Sequence, residues 1–130
     1  MKWYIASRQK SKKEVKKIIN FLRAKKQEIT FDWTKIPNLN PYANNEPLSS
    51  KISKQISGQI KESDIFVLLS DASGTDMYIE LGMAMNNHEV SNKPRIYVVG
   101  DKNNRSLMHF HPSIVRAKNI YKVYRLERII

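Results

Sequence analysis

Residues 64–70, DIFVLLS, place five apolar side chains in succession between two polar ones. A strand without alternation offers no face to water, which is the pattern of a central parallel strand covered by helices on both sides. Parallel neighbours need crossover connections, so the rest of the chain should alternate strands with helices. Residues 2–7 (KWYIAS) read as a first strand. Ser11 with Glu14 has the spacing of a capping box, and Val15, Ile18, Ile19 and Leu22 then form one apolar helical stripe. Residues 28–33 (EITFDW) alternate and suit an edge strand. Residues 34–48 hold three prolines and four asparagines, which predicts a loop longer than most connections and of a length that often serves a site.

Ser49 or Ser50 is placed to cap a second helix in which Ile52, Ile56 and Ile60 recur every four residues. After the central strand, residues 71–74 form a turn, and Thr75 or Asp76 caps a third helix reaching about Asn87. Residues 95–99 (RIYVV) read as a fourth strand closed by Gly100 and Asp101, and residues 119–124 (NIYKVY) as a fifth. The expectation is one domain over residues 1–130: an α/β, flavodoxin-like, doubly wound sheet, mostly parallel, with five strands in the order 2-1-3-4-5 and helices on both faces. Such sheets bind ligands at the carboxyl ends of their strands, beside the switch in strand order. That rule gathers Ser7 and Arg8, Asp32 and Trp33, residues 71–75, and Gly100 with Asp101.

Composition narrows the chemistry. With no cysteine, the chain has no disulfide framework, zinc ribbon, iron–sulfur cluster or thiol nucleophile. Its longest apolar run is far below the roughly 20 residues a spanning helix needs. The N-terminal residues do not resemble a signal peptide, so a cytoplasmic location and no membrane partner are expected. The net charge of +11 is unevenly spread. Residues 1–30 carry ten Lys/Arg against two acids, and residues 91–130 carry nine against two. Residues 71–90 hold Asp71, Asp76, Glu80 and Glu89 with no base. A basic body attracts phosphates, on a nucleotide or on a nucleic acid, and it also serves plain solubility. Nucleic acid is the less favoured partner, because the basic stretches lack interleaved aromatics and a recognition motif.

The informative stretch is residues 70–84, SDASGTDMYIELGMA. A buried strand runs into a Gly-containing turn that opens a helix, with Glu80 in the first two turns. Helix-start N–H groups present partial positive charge to the cleft and favour the ionised form of a nearby carboxylate. A positioned carboxylate can attack an electrophilic sugar carbon or stabilise an oxocarbenium there. Gly82 is expected to let the helix pack closely. Taken alone, the same residues fit an ordinary acid near a helix start, with Asp71 and Thr75 as turn and cap. There is no P-loop and no G-x-G-x-x-G after the first strand, so triphosphate hydrolysis and dinucleotide redox chemistry are unsupported. His109-x-His111 in an extended segment would point two rings one way, but no third ligand accompanies them and no metal is expected. Met77, Met83, Met85 and Met108 read as packing residues.

The strand YIAS, the segment FDWT and the stretch SGTDMYIELGMAM occur in the order found in the nucleoside 2-deoxyribosyltransferase family. The chain resembles that family, and its relatives the 2'-deoxynucleoside 5'-phosphate N-hydrolases, over nearly its whole length. The resemblance implies cleavage of the N-glycosidic bond of a nucleoside or nucleoside 5'-monophosphate, by hydrolysis or deoxyribosyl transfer, without a cofactor. It places the nucleophile at Glu80, just before Leu81-Gly82. It implies sugar or phosphate contacts from Tyr4, Ser7, Arg8, Asp71, Ser73, Gly74 and Thr75, and a base pocket lined by Asp32 and Trp33. It also implies a homodimer or larger homo-oligomer, for which Met77, Met83 and Met85 would supply spare apolar surface. The chain departs from the family at Ile56, where a second carboxylate is usual; Asp32 or Asp71 are the candidates to replace it. Two other readings remain open: a TIR-like NAD-cleaving enzyme, and a non-catalytic nucleotide-binding module.

Overall fold

The computed structural model describes residues 1–130. Five strands, β1 (Lys2–Ala6), β2 (Glu28–Ile29), β3 (Ile65–Leu69), β4 (Arg95–Val99) and β5 (Ile114–Ala117), form one sheet. Their order is β2-β1-β3-β4-β5 and every pairing is parallel. Four helices complete the flavodoxin-like α/β fold: α1 (Lys12–Ala24), α2 (Glu46–Glu62), α3 (Asp76–Ser91) and α4 (Ile120–Leu126).

All five residues of β3 are buried, because the strand feeds two cores. Ile65, Val67 and Leu69 join Trp3 and Ile5 under α1 and α4. Phe66 and Leu68 join Tyr4 and Ala6 under α2 and α3. Each such side chain contributes about 1.5–3 kcal/mol on leaving water. The same alternation turns Tyr4 toward α3, which matters for the site.

Several boundaries differ from the sequence reading. β2 is two residues long, because the Asp32 carboxylate accepts from the Thr34 N–H (3.1 Å) and opens a 3-10 turn over Trp33–Lys35. Residues 34–48 are not one loop. A second 3-10 turn occupies Tyr42–Asn45, and α2 begins at Glu46, with Asn45 rather than Ser49 or Ser50 at its N-cap position. Pro47 sits in the first turn, where its missing N–H costs nothing. α3 continues past Asn87 to Ser91 and ends on Asn92 in the left-handed region (φ 62°).

The capping box of Ser11 and Glu14 does not form. A 3-10 turn (Gln9–Ser11) leads into α1, and Ser11 makes no side-chain cap bond. The fifth strand is not residues 119–124. Asn119 accepts from the Lys122 N–H (3.1 Å) and starts α4, while the short Ile114–Ala117 pairs with β4. A Cβ on Gly82 would meet nothing within 4 Å, so that glycine does not serve close packing. Met77 and Met85 are buried in the α2/α3 core and offer no spare surface; Met108 is half exposed. No helix is long and apolar enough to cross a membrane.

Candidate active site

A cavity of about 710 Å³ opens at the carboxyl end of β1, between α3, α2 and residues 33–45. β1 and the residues after it supply Tyr4, Ser7 and Arg8. The start of α3 supplies Gly74, Thr75, Asp76 and Glu80. Trp33, Leu39 and Tyr42 come from the connecting segment, and Glu46, Ser53 and Ile56 from α2.

Glu80 lies on the inner face of α3. Its carboxylate accepts a hydrogen bond at Oε1 from the Tyr4 hydroxyl, which β1 delivers from below. Burial pushes the Glu80 carboxyl up to about 7, opposed by the Tyr4 hydrogen bond and reinforced by the negative charge of Asp76. Loss of water on burial is the largest influence on this carboxyl. The Tyr4 ring is fully buried and stacks on Phe66, 5.7 Å between centroids. Burial, with Glu80 beside it, holds its phenol well above the ordinary value. Tyr4 therefore keeps its proton and acts as a fixed donor.

Asp71 and Ser73 lie behind the cavity wall rather than on it. Asp71 accepts from the Ser73 N–H (2.9 Å) and pairs with Lys10 Nζ (3.1 Å) and Arg8 Nη1 (3.2 Å). The Ser73 N–H first, then Lys10 and Arg8, hold its carboxyl down at about 2. Its role is to orient Arg8, whose remaining donors stay available to the cavity. Gly74 has φ +112°, and a Cβ there would stand 2.9 Å from Met77 Cε and 3.0 Å from Arg8 Cγ. The backbone conformation favours glycine, and a side chain there would also have to displace Met77 and Arg8.

Trp33 lines the cavity while its indole N–H donates to the Ile5 carbonyl (2.7 Å). It also packs against both cores, so one ring serves wall and support together. Asp32 does not line the cavity: it caps the 3-10 turn at Thr34 and faces Arg23 at 3.6 Å. Gly100 and Asp101 lie outside it as well. Of the residues expected from sequence, the structure brings together Tyr4, Ser7, Arg8, Trp33, Gly74, Thr75 and Glu80.

Polar lining residues not singled out as site residues include Tyr42, Glu46 and Asp76. Asp76 was readable, since it stands four residues before Glu80 and so shares its helix face. Tyr42 and Glu46 carried no such signal within a segment read as loop. Among the histidines, His109 is buried in the 3-10 turn Leu107–Phe110, His111 pairs with Glu89 (2.9 Å) and His88 bonds the Pro94 carbonyl (2.8 Å). The 110–112 segment thus lies against the outer side of α3, away from the cavity. No group of three or more His, Asp or Glu side chains is placed to hold a metal ion.

No protein-family model matches the chain, and a search of curated proteins found no similar sequence. Among solved structures, the chain is similar to a CMP N-glycosidase of Clostridium botulinum, BcmB. The superposition has a TM-score of 0.65 at 19% identity and covers 100% of both chains. At that identity the likeness establishes the shared fold over the full length.

Proposed function

We propose that this protein cleaves the N-glycosidic bond of a nucleoside or nucleoside 5'-monophosphate, with Glu80 as nucleophile. The observation that carries the reading is a carboxylate drawn into a roomy cavity at the carboxyl end of the sheet and hydrogen-bonded there by a buried phenol. Tyr4 holds Oε1, which leaves Oε2 to approach the anomeric carbon. Trp33 offers an aromatic face to the base, worth about 1–3 kcal/mol in comparable stacking sites. Ser7, Gly74 and Thr75 border the sugar. The fold shared with a CMP N-glycosidase supports the same chemistry. Arg8 and the basic body favour a phosphorylated substrate, with water as acceptor.

The test is incubation with nucleosides, deoxynucleotides and NAD, with and without an acceptor base, followed by chromatography for released base. Release from a 5'-monophosphate without an acceptor supports the hydrolase. Base exchange only, in the presence of acceptor, supports a transferase, and cleavage of NAD alone supports the TIR-like reading. Binding without any release would make the chain a nucleotide-binding module.

Arg8 should separate nucleotides from nucleosides. Arg8→Ala removes a charge-assisted hydrogen bond to the 5'-phosphate, worth about 1.5–3 kcal/mol. Steady-state kinetics should therefore show kcat/KM for the nucleotide falling about tenfold to a hundredfold, with the nucleoside little affected. Raised salt should weaken nucleotide use in the same selective way, because Arg8 is one-third exposed. Equal losses on both substrates would make Arg8 a structural residue.

A homodimer is also proposed. Leu107 and Phe110 stand exposed beside α3 and offer it apolar surface. Light scattering at micromolar concentration should give about twice the 15.2 kDa chain mass; a monomer mass would remove this element of the reading.

A further inference from the structure

A glycosidic bond needs a second proton-handling group, and the position where the resemblance implies one is Ile56. That side chain lies in the cavity wall as an apolar surface. Asp32 is committed to Thr34 and Arg23, and Asp71 to Ser73, Lys10 and Arg8, both away from the cavity. Two cavity carboxylates remain besides Glu80, namely Asp76 and Glu46.

Asp76 has the better geometry. It stands one helical turn before Glu80 on the same face of α3, a spacing of about 5–6 Å between Cβ atoms. Asp76 is also tethered: the Tyr42 hydroxyl donates to Oδ2 (3.1 Å) and the Thr75 hydroxyl to Oδ1 (3.3 Å). Glu46, in the first turn of α2 and exposed like Asp76, has no such anchors. After burial, the negative charge of Asp76 adds to the upward shifts of Glu80, Tyr4 and Tyr42.

We infer that Asp76, held by Tyr42, is the second catalytic carboxylate of this site. The inference rests on the N-glycosidase reading. A Glu80 oxygen bonds to the anomeric carbon as the carbon–nitrogen bond breaks, and the bonding pair leaves with the base. Water then attacks the same carbon as the ester bond to Glu80 breaks. Asp76 Oδ takes the proton from that water and passes it to the departed base nitrogen. Glu80 and Asp76 return to their starting states, and the sum is bond plus water giving sugar hydroxyl plus protonated base.

The experiment uses the full chain and the best 5'-monophosphate substrate, comparing wild type, Asp76→Asn, Glu46→Gln and Tyr42→Phe, with azide as an added nucleophile. Asp76→Asn should release one equivalent of base per chain and then stall. Its steady-state rate should fall by about a hundredfold or more. Intact mass should show the substrate less its base attached to the protein. Azide, which needs no base to remove a proton, should restore turnover and yield the glycosyl azide. The pH midpoint of the first, base-releasing step should move down, because one negative charge beside Glu80 is gone. Tyr42→Phe leaves the carboxylate present but loosely held, so it should slow turnover by about tenfold and also respond to azide.

Normal turnover in Asp76→Asn overturns the assignment, as does a folded Asp76→Asn that neither bursts nor responds to azide. Burst and azide rescue in Glu46→Gln instead would move the role to Glu46. Should Asp76→Asn fail to fold, Tyr42→Phe decides: unchanged turnover overturns the assignment. Absence of base release by the wild type overturns the N-glycosidase reading itself, and this assignment with it.

Discussion

Glu80→Gln should lower base release by about a thousandfold or more while leaving the fold intact. Glutamine keeps the shape and can still accept the Tyr4 hydrogen bond, but it carries no negative charge to attack carbon. Wild-type kcat/KM should climb with pH through about 7, because only the ionised Glu80 is a nucleophile. The groups facing it are Tyr4 from β1, Arg8 after that strand, Tyr42 from the connecting segment, Glu46 from α2 and Asp76 from α3. Measured pH–rate profiles that are flat between 5 and 8 would separate the limiting chemistry from this carboxylate. Undiminished release by Glu80→Gln would remove the nucleophile assignment altogether.

The same substitution should make the protein more stable in mild alkali. The carboxyl of Glu80 is raised by burial from 4.5 to about 7, so the folded chain holds its proton where the unfolded chain has released it. Stability from this residue is therefore complete below about pH 4.5, declines as pH rises to about 7, and stays reduced above. A shift of that size corresponds to about 3 kcal/mol, and partial exposure of the carboxyl reduces it to about 2–3. Glutamine does not titrate. Denaturant melts should place Glu80→Gln above wild type by about 2–3 kcal/mol at pH 8, with the gap closing toward pH 4. Parallel stability curves across that range would show that the carboxyl is not buried as described. An acid kept at such a position, against the interest of stability, is the pattern of a residue retained for its chemistry.

The sheet was legible because β3 carries its own topology: five apolar residues without alternation admit only a two-sided strand. The α1 stripe and the 95–99 strand followed from periodicity in the same way. Weak pairings were not legible. The Asp32 side chain outcompetes the sheet for the backbone after Ile29, and Asn119 does the same at the start of α4, so both alternating patterns end as turns or helix. Within the site, Glu80 and its loop were readable from spacing along one helix. Partnership across elements was not: nothing local announces that Tyr42 reaches Asp76, thirty-four residues on. The burial of Glu80 was not legible for a related reason, since the depth of the cavity depends on α2 and residues 33–45.

One hydroxyl joins the two halves of the turn before α3. Tyr78 donates to the Asp71 carbonyl (2.5 Å), its oxygen faces the Asp71 N–H (3.4 Å), and the Asp71 carboxylate grips Arg8, Lys10 and Ser73. The Glu80 side of the cleft is thus cross-braced to the sheet. On the opposite side, residues 36–45 are held by single bonds, such as Asn45 to the Leu39 carbonyl and Ser49 to the Tyr42 carbonyl, before α2 begins. Evolution and protein engineering are accordingly given separate handles. Substitutions at Ile36, Leu39 and Ser53, which line the cavity without a bond to Glu80 or Tyr42, should reshape it and leave Glu80 in place. A directed library for new substrates belongs on that wall, with residues 71–80 left as they are.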